Sequence, residues 1–186
     1  MNPFVEIENV TLSYSDELRE PAVQDLSMSI EEGEFSAVVG PSGCGKSTLM
    51  KLVTGLLFPQ AGQVRVDGAQ VDSPLKIAGM AFQNPVMLPW RKTLENLMLP
   101  LEIVSPHRER LRKEKKANHQ QAEELLKTVG LEGCGDQYPW QLSGGMQQRA
   151  SLCRALIHEP KLLMLDEPFA ALDSFTREEL WCVMRD

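Results

Sequence analysis

Apolar and polar residues alternate over residues 4–10 and 26–30, the two-residue period of strands buried on one face. Residues 63–67 alternate likewise and run into Asp67-Gly68, a pair that favours the positive φ angles of a tight hairpin. The first third of the chain therefore predicts a β portion. Residues 35–39 read as a short apolar strand entering a glycine-rich turn, after which 46–54 has helical spacing and Gly55 as its stop. A second such strand, 77–82, leads into an irregular stretch holding Pro85 and Pro89, and a helix opens at Thr93. A further helix is predicted from Ser105-Pro106, where serine caps and proline suits the first turn, to about residue 129 before Gly130. Ser143 caps a helix reaching His158 and closed by Pro160. Residues 162–165 are continuously apolar, as in a strand covered on both faces of a parallel sheet. Strand and helix alternate, an α/β pattern.

Composition narrows this picture to one folded unit. The 186 residues are 42% hydrophobic and 24% charged, ordinary values for a globular domain, and no linker or repeat divides them. The net charge of -7 repels phosphodiester backbones, so no nucleic acid is expected as a partner. Cys44, Cys134, Cys153 and Cys182 form no C-x-x-C pair, which argues against a zinc site or a disulfide framework. Glu6 and Glu8 stand where a signal peptide would be basic, and no apolar run approaches about 18 residues, so a membrane role is expected to be peripheral.

Gly40-Pro41-Ser42-Gly43-Cys44-Gly45-Lys46-Ser47 fits G-x-x-x-x-G-K-[ST] between a predicted strand and a predicted helix. Glycines let the backbone curl so that its N–H groups point at phosphate oxygens, Lys46 reaches the outer phosphates, and the Ser47 hydroxyl suits Mg²⁺. Lys46 and a helix end together supply about one and a half positive charges, well short of a triphosphate, so a divalent cation is expected with ATP. Leu165-Asp166-Glu167 ends the last apolar strand in two acids, Asp166 to hold Mg²⁺ and Glu167 to orient or deprotonate a water. Ser143, Gly144 and Gly145 open a helix with N–H groups and a hydroxyl available to an anion.

Leu142-Ser143-Gly144-Gly145-Met146-Gln147-Gln148 resembles the signature motif of the ATP-binding cassette family, and it lies between that family's two nucleotide-binding motifs. The resemblance extends over the whole chain. It implies a P-loop NTPase core with an N-terminal antiparallel β subdomain and an inserted α-helical subdomain at about 93–158, in three α/β/α layers, all within one domain of residues 1–186. It implies that residues 40–47 and Thr48 contact ATP, that Gln83 is the Q-loop glutamine near Mg²⁺ and the water, and that Ala171-Leu172-Asp173 is the D-loop. Tyr14 matches the position of the aromatic that stacks on adenine, with edge or core packing as the alternative.

By the same resemblance two copies pair head to tail. Each ATP then lies between one copy's phosphate loop and the other's Ser143, Gly144 and Gly145. Residues 86–91 with Thr93-Leu94-Glu95-Asn96 look like importer cassettes of the nitrate, sulfonate and taurine group, which implies transmembrane permease subunits, a solute-binding protein and a place on the cytoplasmic face of the inner membrane. Met87, Leu88 and Trp90 read equally as an exposed patch for the permease or as a buried loop. The competing readings are a soluble cassette ATPase outside transport and a nucleotide-binding fragment without turnover. The family carries a switch histidine on a later strand, whereas only 13 residues follow Asp173, and His107, His119 and His158 all precede it. The chain is therefore expected to be C-terminally incomplete.

Overall fold

β1 (Val5–Leu12) buries Val5, Ile7, Val10 and Leu12, a switch from odd to even positions that requires one extra residue in the strand. Its register shows where. Ile7 faces Met28 and Val10 faces Leu26 of β2 (Val23–Ile30), three steps against two. The same slip occurs towards β3 (Ala61–Val66), where Glu8 faces Gln63 and Thr11 faces Ala61. Asn9 takes up the bulge at φ 50°, its N–H donating to Ser27 Oγ at 2.9 Å while that hydroxyl donates to Asn9 Oδ1 at 3.0 Å. The bulge keeps four apolar side chains on one face. The computed structural model describes residues 3–14, 21–111 and 113–168, and the chain divides into two compact units between Leu75 and Lys76.

In the first unit the antiparallel sheet runs β2-β1-β3-β4, with β4 (Ala69–Gln70) joined to β3 through Asp67 and Gly68 at φ 52° and 74°, the predicted hairpin. α1 (Lys46–Val53) buries Thr48, Leu49, Leu52 and Val53 along one side, and ends as its spacing predicts, with Thr54 as cap and Gly55 at φ 74°. One strand is not where the sequence puts it. Residues 35–39 join no ladder among the described residues, and Phe35, Val38 and Val39 are exposed. A strand needs a neighbour to take its N–H and C=O groups, and five apolar residues carry no information about that neighbour.

In the second unit β5 (Ala78–Ala81) and β6 (Leu162–Leu165) pair in parallel, Ala78 with Leu162 through to Ala81 with Leu165. α2 (Thr93–Ile103) starts where predicted, the Lys92 N–H donating to Glu95 Oε2 at 2.9 Å in the manner of a capping box. The helix predicted over 105–129 is instead two, α3 (His107–Arg110) and α4 (Lys115–Thr128). α3 buries no residue and is rich in arginine, and Ser105 spends its hydroxyl on Glu109 Oε1 at 2.7 Å rather than capping. Of the two, only α4 gains a buried apolar side, at Ala122 and Leu126, and α3 closes after a single turn. α5 (Gly144–Leu156) seats its backbone directly on β5: a Cβ at Gly79 would lie 2.2 Å from the Ala155 carbonyl oxygen. Leu97, Leu101, Leu126, Leu131 and Ile157 fill the core these helices share. Among the described residues no helix is long and apolar enough to cross a membrane.

Candidate functional site

In the first unit, Gly40 to Ser47 form the loop that enters α1. Gly43 and Gly45 adopt φ 83° and 98°, the left-handed region that side chains resist. Gly45 has a second reason to be glycine, since a Cβ there would lie 2.4 Å from the Ala22 carbonyl oxygen. Lys46 turns back into the loop and donates from Nζ to the carbonyls of Gly40 at 2.8 Å and Pro41 at 3.0 Å. Cys44 lies over Gly40, where an added Cβ would be 2.6 Å from its Sγ. Among the described residues no side chain caps α1, and its first turn, which holds Lys46, Ser47 and Thr48, contains no acid to offset the positive end of the helix dipole. Pro41 and Ser42 are exposed on the loop. Tyr14 reaches this element as well: its hydroxyl hydrogen-bonds Thr48 Oγ1 at 3.0 Å, while 57% of the residue stays exposed.

In the second unit, parallel β5 and β6 bring Gln83 and the two acids to one end of the sheet, where ligands of open α/β sheets collect. Asp166 is buried and its N–H extends the ladder to the Ala81 carbonyl at 2.9 Å. Glu167 follows at φ 47°, a costly conformation for a side-chain-bearing residue and one that recurs at functional sites. Its Oε2 accepts from Gln83 Nε2 at 2.9 Å, which leaves the Gln83 amide oxygen as an acceptor. Ser143 caps α5, its Oγ accepting from the Met146 N–H at 3.3 Å, so its own O–H remains available to donate outward. Gly144 has open space on its Cβ side.

The stretch after Gln83 resolves the choice left open by the sequence in both directions. Met87 is core, whereas Val86 and Trp90 are 58% and 71% exposed. Asn96, fully buried, holds the turn between them. Its Oδ1 accepts from the Leu88 N–H at 2.7 Å and its Nδ2 donates to the carbonyls of Leu88, Arg91 and Lys92 at 3.0–3.1 Å. Arg91 adds a two-pronged pair with Glu102 at 2.7 and 3.1 Å, which raises its pKa. Ala171-Leu172-Asp173 lies outside the described residues. Sequence reasoning took Gln148 only as the end of the signature motif and passed over Arg154, although a lone charge inside the apolar run Leu152-Cys153-Arg154-Ala155-Leu156 is a signal of a buried polar contact.

Comparison with known proteins agrees with this geometry. The ABC transporter family model matches residues 23–170. The taurine import ATP-binding protein TauB of Escherichia coli (strain K12) is 42% identical over 167 residues, 90% of this chain and 63% of that protein. TauB of Yersinia pestis bv. Antiqua (strain Antiqua) is 42% identical over 172 residues, 92% and 65% of the respective chains. The chain thus spans a little under two thirds of the length of these relatives. Among solved structures, the dimeric post-hydrolysis state of the ATP-binding cassette MJ0796 bound to ADP and Pi superimposes with a TM-score of 0.84 at 33% identity, over 97% of this chain and 81% of that one. A second dimeric structure of MJ0796, a bacterial ABC transporter cassette, gives 0.85 at 32% identity with the same coverage. With 148 consecutive residues matched and the cassette fold reproduced, the chain belongs to the ABC transporter family, an α/β fold of the P-loop NTPase kind.

Proposed function

We propose that the chain is the ATP-binding and ATP-hydrolysing subunit of an importer, a single nucleotide-binding domain whose residues at about 93–158 form its helical portion. The observation that carries this is the loop at residues 40–47, with its left-handed glycines, its inward-turned Lys46 and an uncapped helix behind it. Phosphates would take over the donors that Lys46 now gives to Gly40 and Pro41. Tyr14, tied to Thr48 by its hydroxyl, keeps an exposed ring for the adenine.

Mg²⁺ takes hard oxygen ligands, and the Ser47 hydroxyl of the first unit and the Asp166 carboxylate and Gln83 amide oxygen of the second are each of that kind. Once bound, Mg²⁺ would supply charge neutralisation of the phosphate oxygens. Glu167 holds the water and accepts its proton as the water attacks the γ-phosphorus in line and the bond to the β–γ bridging oxygen breaks, giving inorganic phosphate and ADP as leaving group, and Gln83 fixes the orientation of the Glu167 carboxylate. Ser143, Gly144 and Gly145 bind the nucleotide of a second copy, making the dimer dependent on ATP. The association of two copies is supported by the dimeric MJ0796 structures.

Val86 and Trp90, exposed on a turn stiffened by Asn96 and by the Arg91–Glu102 pair, offer the membrane-embedded permease a rigid apolar foothold. The subunit would sit peripherally at the cytoplasmic face of the membrane, with a solute-binding protein on the other side. The TauB relatives favour taurine or a related sulfonate as the solute. Glu167→Gln tests the assignment of the base: it is expected to abolish phosphate release while Mg-ATP still binds, and undiminished release would refute it.

A further inference from the structure

Two side chains of α5 reach the strand-to-loop segment that carries Gln83, one on each side of it. Gln148, 3% exposed, donates from Nε2 to the Phe82 carbonyl at 3.3 Å. Arg154 donates from Nη1 to the Val86 carbonyl at 2.5 Å and from Nη2 to Ser151 Oγ at 3.5 Å. Six residues of helix rise only about 9 Å, whereas four residues of extended chain reach about 13 Å. Between the two anchors the segment arches through a bend at Gln83 and Asn84. Gln83 stands on that arch with its amide on Glu167.

We infer that Gln148 and Arg154 are positioning residues that clamp the Q-loop onto the signature helix and so set Gln83 against Glu167. This rests on the reading of Gln83 and Glu167 proposed above. The cost of the arrangement supports it. Burial holds the Arg154 guanidinium below its ordinary pKa, and among the described residues it pairs with no carboxylate, so its charge is spent on a main-chain carbonyl and a hydroxyl. That also makes it a clean target, because removing it orphans no acid. The clamp joins α5, the helix that Ser143 caps, to the turn that exposes Val86. Displacement of either end is then felt at Gln83.

The test uses the chain with Gln148→Met, Arg154→Met and Gln83→Ala, singly and combined, beside Lys46→Ala, with Arg154→Lys as a variant that keeps a donor. Steady-state hydrolysis of Mg-ATP is expected to lose on the order of 10- to 100-fold in kcat for either Met variant, as small misplacements do, with KM changed less than about twofold. Arg154→Lys recovers part of the loss. In the Gln83→Ala background neither Met substitution costs anything further. Amide exchange of residues 82–88 speeds up in both Met variants while the rest of α5 keeps its protection. Wild-type kcat in the Met variants, losses that multiply with Gln83→Ala, or unchanged exchange at 82–88 each overturn the clamp. If the parent chain and Lys46→Ala both fail to turn over, the functional reading fails instead, and the exchange data still decide the clamp.

Discussion

Two glycines of one loop offer a controlled experiment, because they share a backbone conformation and differ in their neighbours. Gly43 has φ 83° and nothing within 4 Å of an added Cβ. Gly45 has φ 98°, and its Cβ would meet the Ala22 carbonyl oxygen at 2.4 Å. Ala22 directly precedes β2, whose first residue Val23 pairs with Leu12, so that carbonyl cannot retreat without disturbing the sheet. Holding alanine in the left-handed region costs ~1–2 kcal/mol at either site. The overlap at Gly45 adds ~1–3 kcal/mol, the usual cost of forcing atoms into occupied space. Gly43→Ala is thus expected to lose ~1–2 kcal/mol and Gly45→Ala ~2–5 kcal/mol. At about 3 °C per kcal/mol for a chain of this size, the melting temperatures fall by roughly 3–6 °C and 6–15 °C. Thermal and urea denaturation of the purified variants, monitored by circular dichroism, measure both. Equal losses would refute the claim that the approach to Ala22, rather than the φ angle alone, reserves this position for glycine.

Other expectations follow from buried polar groups in the second unit. Asn96→Leu removes the partner of the Leu88 N–H and of the Arg91 carbonyl, while the Leu88 and Lys92 carbonyls keep the N–H groups of Arg91 and residue 96; it is expected to cost ~2–4 kcal/mol in urea denaturation, and a loss under about 0.5 kcal/mol would contradict the latch. His158 is buried, and among the described residues neither ring nitrogen has a hydrogen-bond partner; burial, aided by the charge of His107 and opposed by the nearby Ala78 backbone, lowers its pKa below 6.5. The unfolded chain therefore binds the proton more readily than the folded one. Stability is full above pH ~6.5 and falls as the pH drops from there towards the folded pKa. His158→Phe should flatten that part of the stability-pH curve, and an unaltered slope would contradict the assignment.

The loop at residues 40–47 was legible because its spacing is local: left-handed Gly43 and Gly45 and the turn of Lys46 back onto Gly40 and Pro41 lie within eight consecutive residues, and α1 runs from the predicted Lys46 to Val53, one residue short of the predicted end. The hairpin at Asp67-Gly68 and the Ser143 cap were legible for the same reason. Pairing was not. Residues 35–39 have the apolar character of a strand, but strand formation is decided by a partner elsewhere in the chain. The helix over 105–129 was overdrawn because Ser105 found Glu109 instead of the backbone, and because the basic stretch after it buries nothing. The bulge at Asn9 was missed although two successive polar residues, Glu8 and Asn9, between Ile7 and Val10 mark where the alternation over 4–10 slips. Around the site, Gln83 and Glu167 were each singled out from the sequence, yet their contact across 84 residues, and the grip of Gln148 and Arg154 on either side of Gln83, depend on tertiary packing.

The account stands on polyphosphate binding by the loop around Lys46. Calorimetric titration of Mg-ATP into the 186-residue chain tests this most directly. A saturable heat is predicted, weakened on the order of 10- to 100-fold in a Lys46→Ala variant of unchanged melting temperature, as loss of a charged hydrogen bond requires. Absence of heat, or identical isotherms for the two proteins, would contradict it.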